Sequence, residues 1–228
     1  KENHYQMDTA QAEWLDWGRG ENQAKTGWWV ADVNINPFNS DEVMYGTGAT
    51  IYSTQNMTKI GTEPVTIAFD AYGLEETAVF KMLAPPSKDD SPQLYSIMGD
   101  LTGFAHKDVT QCPDDAHFMK NGKPTDLDVA FQNPNTAVYL SEEKTTTINF
   151  TQDGGATWET VKHKPDPATG GQVAMSADGS STIWVPNSIS GKPYVTTDLG
   201  KTWYYVEGLG FNAKIAADRV TQGVLCHL

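Results

Sequence analysis

The 228-residue sequence is poor in the residues of metal, redox and nucleic-acid chemistry. Cysteine occurs twice, at Cys112 and Cys226, and neither lies in a CxxC pair, so a zinc or thiol-redox site has no support. The two thiols could form one disulfide or stay free. The five histidines (His4, His106, His117, His163, His227) show no ligand spacing, and no metal or other cofactor is expected. Basic residues number 16 against 29 acids, a net charge of −13. That excludes a nucleic-acid partner, because phosphate backbones require a basic surface. No apolar run approaches the roughly 18 residues that span a bilayer, so no membrane partner is expected. The opening "KENHYQMDTA" shows no signal peptide. Two N-x-[ST] sequons, Asn56-Met57-Thr58 and Asn149-Phe150-Thr151, nevertheless fit a secreted, extracellular protein.

Helical signals are scarce as well. Twenty glycines and twelve prolines cut the chain every few residues. Between them lie short runs rich in Val, Ile, Thr, Tyr and Phe: "VTIAFDAY", "TAVYL", "TTTINF", "PYVTT" and "TWYYV". Many short strands separated by turn residues imply an all-β fold. One turn is written twice. "TQDGGATW" starts at Thr151 and "TTDLGKTW" at Thr196, an interval of 196 − 151 = 45 residues. A period of about 40–50 residues with four strands each is the spacing of propeller blades. The pattern has a physical logic: the Asp can accept backbone amides of its own loop, the Gly supplies a left-handed backbone, and the Trp packs into the blade.

Both copies fill the template S/T-x-D-x-G-x-T-W, which resembles the Asp-box hairpin of sialidases, sortilin-type receptors and several glycosidase propellers. A weaker copy is expected at Ser53–Thr58, with Gln55 in place of the Asp, because Asn36 precedes Ser53 by 17 residues and Asn133 precedes Thr151 by 18. "SADGSSTIW" (Ser176 to Trp184) adds a strand–turn–strand between the two full boxes. A length of 228 residues at this period gives room for about five blades, fewer than the six to eight that usually close a ring. The expected fold is therefore a partial β-propeller of four-stranded blades. Sialidase chemistry is excluded, since it clusters three arginines on a carboxylate and this chain has only Arg19 and Arg219.

Five ordered motifs carry a closer resemblance: "INPFNSDEVMYGTGATIY", "GLEETAV", the L-x-P-P at Leu83–Pro86, "GDLTGFAHKD" and "SADGSSTIW". Together they resemble the C-terminal propeller of glycoside hydrolase family 74, from about Gly27 to about Val220. The resemblance implies a parent of two tandem seven-bladed propellers that hydrolyses the β-1,4-glucan backbone of xyloglucan with inversion. Inversion needs an acid and a base about 6.5–9.5 Å apart, with a water between. The resemblance places the general acid at Asp100, and the base in an N-terminal propeller that this sequence does not contain. On this reading residues 1–26 are a linker or the end of a preceding domain. Residues 27–220 are an incomplete C-terminal propeller, and residues 221–228 are a divergent tail that reads as a truncation. The partners implied are the plant cell-wall polysaccharide xyloglucan and the missing propeller.

The residues around Asp100 agree with such a role. Gly99 and the pair Thr102-Gly103 let backbone approach a ligand, and Met98 and Phe104 would desolvate the carboxyl and raise its pKa. Asp108 is a weaker candidate, better explained as a turn residue. His106 is a candidate to bind substrate or orient a carboxylate, and also reads as a plain loop residue. Phe104, Trp29 and Trp184, with Trp28, are candidate platforms for glucosyl rings. Glu75 and Glu76 are adjacent, so in a strand they point to opposite faces and cannot act as a pair. The competing reading is a non-catalytic propeller that binds cell-wall glucan.

Overall fold

The computed structural model describes residues 4–12, 26–73, 78–86, 90–99, 102–111, 113, 123–142, 144–165, 169–188 and 191–227. Glu75, Glu76, Asp100 and Cys112 lie outside the described residues. Regular structure among the described residues is strand throughout, apart from one 3-10 turn at Met57–Lys59, as the all-β reading expects. No helix among them is long and apolar enough to cross a membrane. The chain divides into two compact units, Lys1–Glu76 and Thr77–Leu228.

The first unit is one five-stranded sheet. β1 (Tyr5–Asp8), β2 (Asp32–Asn36), β3 (Asn39–Gly46), β4 (Ile51–Thr54) and β5 (Val65–Phe69) stand in the order β1-β5-β4-β3-β2. β2 to β5 form an antiparallel meander, and β1 adds itself parallel to β5, with Tyr5 opposite Val65. Residues 5–8, in the stretch read from sequence as a linker or the end of a preceding domain, pair with the edge that β5 would otherwise leave open. Ala12, Tyr52 and Phe69 form its core, with the Tyr45 and Tyr52 rings stacked at 4.9 Å.

The decayed turn in this unit starts one residue later than the sequence comparison placed it. In β4 the pleat turns Tyr52 and Thr54 inward, so Thr54, not Ser53, occupies the inward position at the strand end. Thr54 Oγ1 donates to Asn56 Oδ1 at 3.1 Å, and the same oxygen accepts the Thr66 amide at 2.9 Å. Asn56, not Gln55, thus does the work of the Asp. Its Nδ2 donates to Pro64 O, so its side-chain amide is engaged on both sides. Asn149 is 4% exposed, accepting from Thr160 Oγ1 at 2.6 Å and donating to Thr147 Oγ1. Both sequon side chains are thus hydrogen-bonded in the folded chain.

The second unit stacks four sheets among its described residues. The first holds β6 (Val79–Leu83), β7 (Leu94–Met98) and β8 (Thr102–His106). The second holds β9 (Lys123–Val129), β10 (Ala137–Glu142), β11 (Thr146–Thr151) and β12 (Glu159–Thr160). The third holds β13 (Gln172–Met175), β14 (Thr182–Val185), β15 (Tyr194–Thr196) and β16 (Tyr204–Tyr205). The last pairs β17 (Ile215–Ala217) with β18 (Leu225–His227). Within the tail, residues 225–227 pair with β17, with Ala217 opposite Leu225.

Cores form between successive sheets, which explains the unbroken apolar run of β10. Ala137 and Tyr139 point toward Tyr95, Ile97, Leu127 and Val129. Val138 and Leu140, one residue out of phase, point toward Ile148, Phe150, Val173, Met175 and Trp184. Both faces of the strand are covered, so both phases of its period-2 pattern must be apolar.

The repeated turn joins the third and fourth strands of its sheet, and its two copies match bond for bond. Thr151 Oγ1 donates to Asp153 Oδ1 (2.7 Å) and accepts the Gly155 amide (3.0 Å). Asp153 accepts the Thr157 amide (2.9 Å) and hydroxyl, and Trp158 Nε1 donates to Gly155 O (3.1 Å). In the second copy Thr196, Asp198, Gly200, Thr202 and Trp203 make the same bonds at 2.9, 2.9, 2.8, 2.6 and 3.1 Å. Gly155 and Gly200 have φ of +88° and +82°. A Cβ there would also come within 3.0 Å of Ala105 and 2.4 Å of Val161, so each turn is pressed onto the preceding sheet. Replacing Asp153 by Ala leaves the Thr157 amide and hydroxyl without their acceptor, at an expected cost of about 1 kcal/mol at this exposed turn. Thermal unfolding of the variant, a few degrees below wild type, checks it.

The turn carboxylates also set an acid limit. The Thr202 hydroxyl and then the Thr202 amide hold Asp198 at about 2, well below its ordinary 3.8. A lowered folded pKa stabilises above the unfolded value, and that stabilisation is lost as pH falls from near 4 toward 2.

A second network stitches the sheets where their first strands meet. Asp126 and Asp128 project from β9, 8% and 1% exposed. Asp126 accepts the Val173 amide at 2.8 Å and the Lys81 ammonium at 2.7 Å. Asp128 accepts the Met175 amide at 2.7 Å and the Arg219 guanidinium at 2.8 Å. Two carboxylates two residues apart thus take two amides two residues apart on β13, and cations from β6 and from the β17–β18 connection complete the charge balance. Burial pushes the Asp128 carboxyl up, while Arg219 and the Met175 amide draw it back down.

Candidate functional site

The β7–β8 hairpin carries the expected acid. Its strands pair from Leu94↔His106 to Met98↔Thr102. Gly99 N–H donates to Ala78 O at 2.8 Å. A Cβ on Gly99 would stand 3.1 Å from the Phe80 ring, so glycine allows the close approach of hairpin and β6. Thr102 has φ +68° and is 1% exposed. A β-branched residue in the left-handed region costs on the order of 1–3 kcal/mol, and such strain gathers at functional sites. Asp100 and Leu101, between these anchors, lie outside the described residues.

The surroundings of this hairpin include residues that sequence reasoning missed. Phe80, on the second position of β6, lies against Gly99 and is 43% exposed. The Lys123 ammonium sits 5.1 Å from its ring centroid. Lys123 in turn is opposite Glu142, the last residue of β10 and exposed. An aromatic face and a cation thus meet beside the hairpin, whereas the Glu142 carboxylate accepts from Thr146 Oγ1 at 3.5 Å. Only the packing of two sheets brings Phe80 and Lys123 together; in sequence they are 123 − 80 = 43 residues apart, and no local pattern marks them.

The other candidates fall elsewhere. Trp184 is fully buried, with Nε1 donating to Gly170 O at 2.8 Å, so it offers no face to a sugar. Phe104 is 8% exposed, and its ring leans on His106 at 5.7 Å. It too is a packing residue, because β8 turns it into the sheet rather than to solvent. His106 closes β8 at the end opposite Thr102, about 13 Å along the strand for four residue steps. Its Nε2 lies 3.0 Å from Ser96 Oγ, and burial lowers its pKa. Asp108 accepts the Thr110 amide (2.8 Å) and hydroxyl (2.7 Å). It follows the third strand of its sheet as Asp153 and Asp198 follow theirs, which makes it a turn residue. Trp29, in the first unit, is 80% exposed with φ +53°, and meets Trp28 edge-on at 6.3 Å. It remains available as a platform. Among the described residues no group of His, Cys, Asp and Glu could hold a metal ion.

In the second unit, sheets of up to four antiparallel strands lie face to face, and the repeated turn presses the second onto the first and the third onto the second, which defines a β-propeller segment. Comparison with known proteins gives the particular kind. The chain is 39% identical over 226 residues to the xyloglucanase Xgh74A of Acetivibrio thermocellus, covering 95% of this chain and 26% of that protein. It is 31% identical to the oligoxyloglucan-reducing end-specific xyloglucanase of Emericella nidulans, covering 86% and 27%. The crystal structure of the GH74 xyloglucanase from Xanthomonas campestris superposes with a TM-score of 0.76 at 26% identity, over 95% of this chain and 30% of that one. No family model matches the chain. It is a relative of the glycoside hydrolase family 74 xyloglucanases, and spans about a quarter of the length of the curated relatives it matches.

Proposed function

We propose that this chain is the acid-bearing part of a xyloglucan-degrading glycoside hydrolase, acting outside the cell on the β-1,4-glucan backbone with inversion. Residues from about 27 onward form part of its C-terminal propeller. Asp100 protonates the leaving glycosidic oxygen. An N-terminal propeller of the same protein supplies the base that activates water on the opposite face of the sugar. Phe80, beside the hairpin, offers a ring to a glucosyl face, and Trp29 is a second platform.

The observation that carries this reading is the strained Thr102 at the edge of the Asp100 hairpin, in a chain 39% identical over nearly its whole length to a xyloglucanase. Strain of that kind persists only where the fold over-determines it.

The test is release of reducing sugar from tamarind-type xyloglucan. We expect little or none from the chain alone, and hydrolysis once an N-terminal propeller of the family is mixed in. Asp100→Asn should then lower the rate by about 10²–10⁴-fold, the contribution of a general acid. Undiminished activity of Asp100→Asn in the mixture removes Asp100 from the role. No activity in either tube, with the chain folded by circular dichroism, favours a binding module.

A further inference from the structure

A groove at the other end of the strands is built from the two repeated turns. It encloses about 550 Å³, within the range of small-ligand sites. One wall is the first turn with β12 and the residues that follow it. The opposite wall is Leu199-Gly200-Lys201 of the second turn. The floor is aliphatic, from the half-buried Val161 and Leu199. The rim is charged, with Asp153 and Glu159 facing the same space as Lys162 and Lys201.

Asp153 is held by the hydroxyls of Thr151 and Thr157, but the other three charges are not consumed by the fold. Glu159, Lys162 and Lys201 make no ion pair and no side-chain hydrogen bond among the described residues. Two carboxylates and two ammonium groups cancel, so the groove attracts neither anions nor cations strongly. What they offer instead is a set of strong acceptors and donors around an apolar strip. Adjacent hydroxyls of a sugar can donate to a carboxylate and accept from an ammonium, while the C–H face of the ring lies on aliphatic carbon. Charge-assisted hydrogen bonds of this kind are about twice as strong as neutral ones.

The groove is separate from the hairpin of Asp100. Gly155 of the first turn lies against Ala105, one residue from the His106 end of β8, whereas Asp100 precedes the Thr102 end. The turns therefore do more than frame the blades.

We infer that this groove is a second saccharide-binding site, taking a neutral hydroxyl-rich stretch of the polysaccharide away from the point of cleavage. The choice of a neutral glucan as ligand rests on the function proposed above; the groove's chemistry does not require Asp100 to be the acid.

The probes are cellotetraose and tamarind xyloglucan oligosaccharide. Methyl resonances of Val161 and Leu199 are followed by NMR during titration, and affinity electrophoresis is run in xyloglucan gels. We expect both methyls to shift for wild type and equally for Asp100→Asn. The double variant Glu159→Ala/Lys201→Ala should bind the oligosaccharides at least tenfold more weakly. Both side chains are exposed, so its melting temperature should match wild type, and Lys162→Gln, tested singly, should weaken binding in the same direction. Unshifted methyls, or double-variant affinity equal to wild type, overturns the inference. So does stronger binding of polygalacturonate than of neutral oligosaccharide. Loss of binding in Asp100→Asn alone would locate the only saccharide contact at the hairpin. Failure of Asp100→Asn to impair hydrolysis, with the methyl shifts intact, refutes the proposed acid and leaves the groove standing.

Discussion

Replacing Asp128 with alanine is expected to destabilise the second unit by about 3–5 kcal/mol, the cost of removing one partner from a buried ion pair. The effect is large because Asp128 serves two groups at once, from a site that is 1% exposed. The Met175 amide on β13 and the Arg219 guanidinium both lose their bond. Arg219 also holds the Val129 carbonyl and lies 4.4 Å over the Phe131 ring, so the β17–β18 connection loosens with it. Asp128→Asn is the informative companion. Its amide oxygen still accepts from Met175 N–H, and Arg219, one-third exposed, can keep part of its hydration. The Asn variant should therefore lose clearly less than the Ala variant. Chemical denaturation monitored by circular dichroism measures both, with a thermal midpoint for the Ala variant lower by on the order of 10 °C. Equal losses for Asn and Ala would show that the charge, and not the amide contact, joins the sheets.

What could be read from the sequence was local. The bonds within Thr151–Trp158 span at most four residues in sequence, except where the Trp reaches its own core, so the pattern of side chains specifies the turn completely. The run "AVYL" in β10 announced a strand covered on both faces, because its two phases are both apolar. The decayed turn was legible in place but not in register. Ser53 and Thr54 carry the same hydroxyl chemistry, and only the inward pleat of Tyr52 and Thr54 separates them. The aromatic candidates were illegible for a related reason. Trp29 and Trp184 look alike as letters, yet one is 80% exposed and the other fully buried. Which of them a substrate could reach is decided by neighbouring sheets dozens of residues away. The same holds for the Asp126–Lys81 and Asp128–Arg219 pairs, 45 and 91 residues apart. Residues 225–227 of the tail carry no periodic signal, yet they form a strand paired with β17.

Trp184→Ala should cost about as much as Asp128→Ala, 3–5 kcal/mol as is typical for a buried tryptophan, and for a wholly different reason. The indole fills the space between the second and third sheets of its unit. It meets the Trp203 ring edge-on at 6.2 Å and the Tyr194 ring at 6.4 Å, with the Lys164 ammonium 5.9 Å from its centroid. Truncation leaves a cavity against Val138, Leu140 and Met175, and it strands the Gly170 carbonyl that Nε1 satisfies. Trp184→Phe separates these two losses, because phenylalanine keeps most of the packing and gives up only the N–H. It should recover more than half of the lost stability. The same pair of variants decides between core and platform. A platform residue would weaken xyloglucan binding in affinity gels while leaving the melting temperature in place. A core residue does the reverse: Trp184→Phe, if still folded at the assay temperature, should bind as wild type does. Trp203 provides the internal control, since it closes the second repeated turn on the same cluster and its loss should destabilise without touching binding at the Asp100 hairpin.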